Sequence, residues 1–439
     1  MNSENQELLT DAQRKQQIKA VQKKSIIVLT PGIIAYIVFV LVRTSGGTIA
    51  SQLVRELGWT AAQVAMFTSM FSYVYSFANL PGGIITDILG ARKTMSASYI
   101  LIAVGCVIMG ISNSYGLMLL ARALMGLGGA VVYSGLSKVS VAWVRNRNYP
   151  GYNAKVMAIS KIGTLYAATP LALMISTMGR KNALMIIAGV AVAITAAIII
   201  LMKDSPEECG MKSVDELEGN TAPTSKKAQN PLKGVGKLLL QPQVWFVVIA
   251  SVSFNAAINT VVTNFGKTML EQAGGMESVA AANIILINTF AGIVSGILLG
   301  SFLKLKFATN KIATYISFAM FGAALIMLGF FFPSLGTAGF SAVYLLIGFA
   351  ASFEVSAIFA ILRNMVTNKN YGTGVGLINF AAWLVGTSVC TTIWGFIVDE
   401  AYSIASFQNA VRFQLVYLLI GFVCFLFVKD KTLPAFEEN

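Results

Sequence analysis

The apolar runs of this chain constrain it more than any other feature. Twelve of them lie near 26–54, 61–86, 94–112, 115–141, 153–177, 182–202, 243–266, 278–303, 310–332, 337–362, 372–398 and 406–428. Each is long enough to cross a bilayer as a helix. They are continuous rather than alternating, which argues against barrel strands. Only 12% of the 439 residues are charged and the mean hydropathy is +0.71. A soluble fold of this length could not cover its surface with so few charges. The sequence predicts an all-α membrane protein with twelve transmembrane helices and excludes an ordinary soluble enzyme.

The net charge of +13 could suggest nucleic acid, but the basic residues fall in short runs between apolar segments. Of 32 lysines and arginines, 24 lie in the N-terminal segment, in the loops after even-numbered runs and at the C-terminus. Five lie after odd-numbered runs and three lie deep inside runs, with residues near run ends counted in the adjoining loop. This bias predicts a multi-pass protein of the plasma (inner) membrane with both termini cytoplasmic. The polar residues 1–25 have no cleavable-signal pattern. The longest hydrophilic stretch, 203–241, reads as a cytoplasmic linker. The expected organisation is a segment 1–25, a six-helix bundle 26–202, the linker, a second bundle 242–428 and a tail 429–439.

The two bundles carry traces of a repeat. At a shift of 222, Gly126 falls on Gly348 and Arg147-Asn148-Tyr149 falls on Lys369-Asn370-Tyr371. Near a shift of 217, Gly58 falls on Gly275 and Gly83 on Gly300. Two pseudo-symmetric halves related by an axis along the membrane normal are a known transporter plan, with the site at their interface.

Other chemistries find no residues to carry them. The chain has no His, no GxxxxGK[ST] loop and no HExxH motif. Cys106, Cys209, Cys390 and Cys424 lack CxxC or metal spacing, so neither a metal site nor a structural disulfide is expected. Neither a cofactor, an enzyme nor an ATP-driven pump is expected.

After run 2 comes Gly83-Ile84-Ile85-Thr86-Asp87-Ile88-Leu89-Gly90-Ala91-Arg92-Lys93. This resembles the loop signature GxxxD(R/K)xGRR/K of the major facilitator superfamily, with Ile88 and Ala91 where basic residues are common. In run 4, Arg122-Ala123-Leu124-Met125-Gly126-Leu127-Gly128-Gly129-Ala130 resembles that family's RxxxGxGxA pattern. Asp204-Ser205-Pro206-Glu207-Glu208-Cys209-Gly210 resembles DxPExxG in the organic-anion branches: organophosphate, anion:cation and oxalate-type transporters. Physically, Asp87 ends a helix within reach of Arg92, Arg145 and Arg147, and the start of run 11 would attract its charge through the helix dipole. Such contacts form an inner gate that must break when that face opens.

Apart from charges near run ends, four ionisable residues lie within runs: Arg43, Arg122, Lys161 and Glu354. Each is expensive in hydrocarbon and therefore a candidate for function. Arg43 is mid-membrane and flanked by Tyr36, Thr44 and Gly46-Gly47, which suits a cavity wall. The resemblance implies that an Arg at this place grips a phosphate or carboxylate, and a planar fork suits bidentate anion contacts. Lys161 either snorkels to the surface or faces the same cavity. The resemblance gives Arg122 a proton-coupling or helix-bonding role. Glu354, the one deep acid, either carries a coupling proton or pairs with a cation of the other half. Where organophosphate transporters carry a second Arg, run 7 has Asn259, which disfavours a doubly charged phosphate ester.

The resemblance implies a secondary transporter, expected to act as a monomer, and three buried cations against one acid favour a small organic anion, a carboxylate or sugar acid, as its substrate. Proton, Na+ or a counter-substrate would couple it. A proton-coupled exporter of drugs or cations and a non-transporting membrane sensor are the rival expectations.

Overall fold

A computed structural model describes residues 11–144, 149–212, 217, 239–302, 309–365 and 368–429. The described residues form helices and tight turns, with no strand among them. Twelve helical passes build two six-helix halves. Nine stretches among the described residues are long and apolar enough to cross a membrane. One of these, Lys155–Leu201, holds two passes, because Gly179 (φ +81°) turns the chain within it. Ala61–Leu89 and Gly336–Met365 supply the other two.

Pass 1 joins Asp11–Thr44 to Gly46–Leu57, pass 2 is Ala61–Leu89 and pass 3 is Ala91–Ile111. Pass 4 joins Tyr115–Gly129 to Val132–Trp143. Pass 5 is Tyr149–Ala167 with the first part of Thr169–Leu201, and pass 6 is the remainder of that helix after Gly179. Pass 7 runs Pro242–Ile258, a π-helical turn Asn259–Asn264, then Gly266–Gln272. Passes 8, 9 and 10 are Ser278–Phe302, Asn310–Phe330 and Gly336–Met365. Pass 11 runs Asn368–Ala381, a π-helical Ala382–Val389 and Cys390–Ile397, and pass 12 is Ile404–Leu426.

Local chemistry sets several starts. Thr60 and Gln63 form a reciprocal capping box at pass 2. Thr309 and Ser403 accept from the N–H groups of Ile312 and Ser406 and cap passes 9 and 12.

The repeat is visible in the packing. Pass 1 packs on pass 5, 2 on 4, 3 on 4, and 3 on 6; passes 7 and 11, 8 and 10, 9 and 10, and 9 and 12 pair in the same way. The glycines matched at a shift of 222 do the same work. A Cβ at Gly126 would crowd the Phe71 carbonyl of pass 2, and one at Gly348 would collide with the Asn288 carbonyl of pass 8. Each lets the fourth helix of its half lie against the second with backbones nearly touching.

The halves meet along pass 2 against pass 11 and pass 1 against pass 7. They are closed at the end that carries Trp59 and Tyr402, where the Tyr402 hydroxyl donates to the Trp59 carbonyl at 2.5 Å.

Candidate functional site

Three departures from α-helical geometry converge where the halves meet. Pass 1 breaks at Ser45, pass 7 loosens into Asn259–Asn264 and pass 11 into Ala382–Val389. A π-helical turn shifts the hydrogen-bond register, and such turns recur at functional sites. Gly47 allows the approach of passes 1 and 7: a Cβ there would collide with the Thr263 carbonyl.

A small cavity lies between them. One half contributes Arg43, Thr44, Thr68, Ser72 and Arg122; the other contributes Asn259, Thr263, Asn264, Trp383 and Thr387. Two of these residues are cations and none is an acid. The Arg43 guanidinium carbon lies 5.5 Å from the Phe39 ring centroid and 5.2 Å from that of Trp383. One ring from each half thus faces the same cation, a contact that partly offsets its desolvation. Arg122 is 1% exposed, lies 5.3 and 4.8 Å from the Phe67 and Phe71 centroids, and donates Nη1 to the Val42 carbonyl at 3.3 Å. The Nε of each arginine is buried without a hydrogen-bond partner. Neither forms an ion pair among the described residues.

The opposite wall is neutral and internally bonded. Asn255 Oδ1 accepts from Asn259 Nδ2 at 3.0 Å and from Thr387 Oγ1 at 2.9 Å. Asn264 Nδ2 donates to Thr391 Oγ1 at 2.9 Å.

Of the residues singled out in the sequence, Arg43 and Asn259 line this cavity, and Arg122 joins them. Tyr36 lies two turns back along pass 1, its hydroxyl on Met157 Sδ at 3.4 Å and its ring 5.4 Å from Tyr133. Lys161 is exposed on pass 5, near enough to Arg43 for the two charges to repel. Glu354 lies elsewhere. It is 2% exposed on pass 10, it reaches Ser251 of pass 7 within its own half, and its Oε1 has no partner. Among the described residues it pairs with no cation.

The loop signature holds a contact that the sequence did not announce. Pass 2 ends at Gly90 with φ +88°, and the Asp204 carboxylate fills the space where a Cβ would stand. Asp204 Oδ1 accepts the Arg92 backbone N–H at 2.8 Å. Asp204 therefore caps pass 3, whose own N-cap residue has no side chain to do so. The Arg92 side chain donates to the Ile199 carbonyl of pass 6. Gly83 faces open space. The Asp87 side chain, Arg145 and Arg147 lie outside the described residues.

The closed end carries a charge cluster that the sequence reading left among loop residues. Glu271 Oε1 lies 3.3 Å from Arg55 Nη1 across the halves and 3.4 Å from Lys267 Nζ on its own helix. Arg180 binds Glu56 at 3.1 Å. Lys267 is 4% exposed and Glu271 is buried as well, so both ends of that pair are withdrawn from water. Trp383, Thr68, Ser72 and Thr387 were also not singled out. Small hydroxyls and aromatic residues fill membrane cores everywhere, so composition gives them no mark.

A family model described as the Major Facilitator Superfamily matches residues 32–391. A hexuronate transporter of Bacillus subtilis is 22% identical over 79% of this chain and 81% of its own length. Probable anion transporter 6 of Oryza sativa subsp. japonica is 23% identical over 84% and 87%. A probable sulfoacetate transporter of Cupriavidus necator is 21% identical over 81% and 83%. Among solved structures, a bacterial homolog of the human lysosomal transporter Spinster, inward-facing and unoccupied, superposes with a TM-score of 0.73 at 14% identity. The match covers 94% of this chain and 99% of that one.

Proposed function

Because the chain belongs to the Major Facilitator Superfamily, a family of transporters rather than enzymes, we propose that it moves a small organic anion across the cytoplasmic membrane by alternating access. The observation that carries this reading is the cavity with two guanidinium groups and no acid. Buried cations without counter-charge are strained until something negative arrives. Hexuronate, sulfoacetate and anion transporters are what the relatives are named, and these names support an anionic substrate. A cation exporter would need a carboxylate in the cavity, and none lines it.

In this reading Arg43 grips a carboxylate, Lys161 adds positive potential, and the neutral amide of Asn259 favours a carboxylate or sugar acid over a phosphate ester. Asp87 with Arg92, Arg145 and Arg147 gates the cytoplasmic end, Arg55 with Glu271 holds the outer end, and the two halves rock about the site as a monomer. Glu354 senses the coupling proton through its contact with pass 7, so that protonation changes how passes 7 and 10 pack; Na+ or a counter-substrate are the alternatives for coupling. Proteoliposomes loaded with D-gluconate should take up labelled D-gluconate by exchange and should take up sn-glycerol 3-phosphate more slowly. Absence of exchange for every carboxylate, with uptake of an organic cation, would sink the reading. Glu354→Gln should keep exchange and lose accumulation against a gradient under an imposed proton gradient; normal accumulation would remove its coupling role.

A further inference from the structure

Building on the anion reading, we propose that Arg122 is a second anion-binding arm and that the site takes a substrate with two carboxylates. The geometry sets two forks against one short stretch of pass 1. Arg43 stands in that stretch. Arg122 reaches it from pass 4, donating to Val42 on one side of Arg43 and facing Gly46 on the other. A Cβ at Gly46 would stand 2.7 Å from Arg122 Nη2, so the glycine leaves room for the fork.

Both forks are under-used. Arg43 donates to no acceptor among the described residues, and Arg122 has one, the Val42 carbonyl. A guanidinium has five N–H donors. A purely structural arginine buried in a helix bundle would be expected to spend them on carbonyls or an acid. Here aromatic faces hold the groups in place, Phe39 and Trp383 for Arg43, Phe67 and Phe71 for Arg122. Rings cover faces and leave N–H edges, and an edge is where a carboxylate binds in bidentate fashion. One carboxylate satisfies one fork. Two forks on different helices, with no acid lining the cavity, call for two carboxylates on one molecule. Both forks belong to the same half, so the dianion is held by that half, and the neutral wall opposite reads what lies between its charges.

The test compares D-gluconate with D-glucarate, which share a six-carbon skeleton but carry one and two carboxylates. Calorimetric titration of the purified full-length protein should show D-glucarate binding at least about 10-fold more tightly, as expected for added charge-assisted hydrogen bonds. Arg122→Gln should cost D-glucarate more than D-gluconate, so that the preference for D-glucarate shrinks to less than about 3-fold. Arg43→Gln should weaken both. Gly46→Ala, which crowds the fork without removing charge, should also erase the preference, and it serves if Arg122→Gln fails to fold. Equal affinities in the unaltered protein, or an equal loss of both ligands in Arg122→Gln, would overturn the two-carboxylate proposal and leave the anion reading standing. Failure of both ligands to bind the unaltered protein would defeat the anion reading itself.

Discussion

Buried charge is handled in opposite ways at the closed end and in the cavity. At the closed end, Glu271 is shared between Lys267 of its own half and Arg55 of the other, and Arg180 is matched by Glu56. In the cavity, Arg43 and Arg122 have aromatic rings and a single carbonyl but no acid. A cluster whose charges are matched holds surfaces together even though Glu271 Oε2 has no hydrogen-bond partner, and breaking a buried pair is strongly destabilising. A cluster that lacks its counter-charge is poised to receive one. On the proposed reading, the contrast separates a lock from a binding site.

The largest expected effect breaks the unpaired side. Arg43→Ala should weaken carboxylate binding by about 100-fold or more, the scale lost when one partner of a desolvated charged contact is removed. The melting temperature should stay within a few degrees, because Arg43 has no protein acid to strand; calorimetry and a thermal melt measure the two together. Next comes the paired side. Glu271→Gln leaves Lys267, 4% exposed, without its acid, a change that costs about 3–5 kcal/mol in a fully buried pair. It should lower the melting temperature and speed thiol labelling of a cysteine placed at the buried Ser51. Arg55→Ala should do the same more weakly, since the Arg55 side chain is 35% exposed. If Glu271→Gln left labelling unchanged, the cluster would not be a lock.

Smaller effects sharpen the frame around both regions. Gly90→Ala combines a left-handed φ with a collision on Asp204 and should destabilise by roughly 1–3 kcal/mol. Asp204→Ala should cost about 1 kcal/mol through the lost cap. Denaturation midpoints of the two variants and their double mutant check that they act on one contact.

Which of these features can be read in the sequence follows from what each kind of signal measures. Hydropathy measures depth, so the twelve passes and the depth of Arg43, Arg122 and Glu354 are legible. It does not measure which way a helix faces. Glu354 and Arg43 are both deep, yet one turns into its own half toward Ser251 and the other into the cavity. Gly126 and Gly348 are legible as a repeat because close helix contact tolerates only small residues. The Asp204 cap on pass 3 joins residues more than a hundred positions apart, and no local pattern announces it. Arg55, Lys267 and Glu271 sit at run ends, where charges read as solvated loops. Only the spacing of four between Lys267 and Glu271 hints at a pair.

The central claim is that the cavity binds its substrate through negative charge. Calorimetric titration of the purified protein with D-gluconate and with its uncharged counterpart D-glucitol addresses it most directly. The account predicts that D-gluconate binds and that D-glucitol binds at least about 100-fold more weakly, the scale of a charge-assisted bidentate contact. Equal affinity for the two would contradict it.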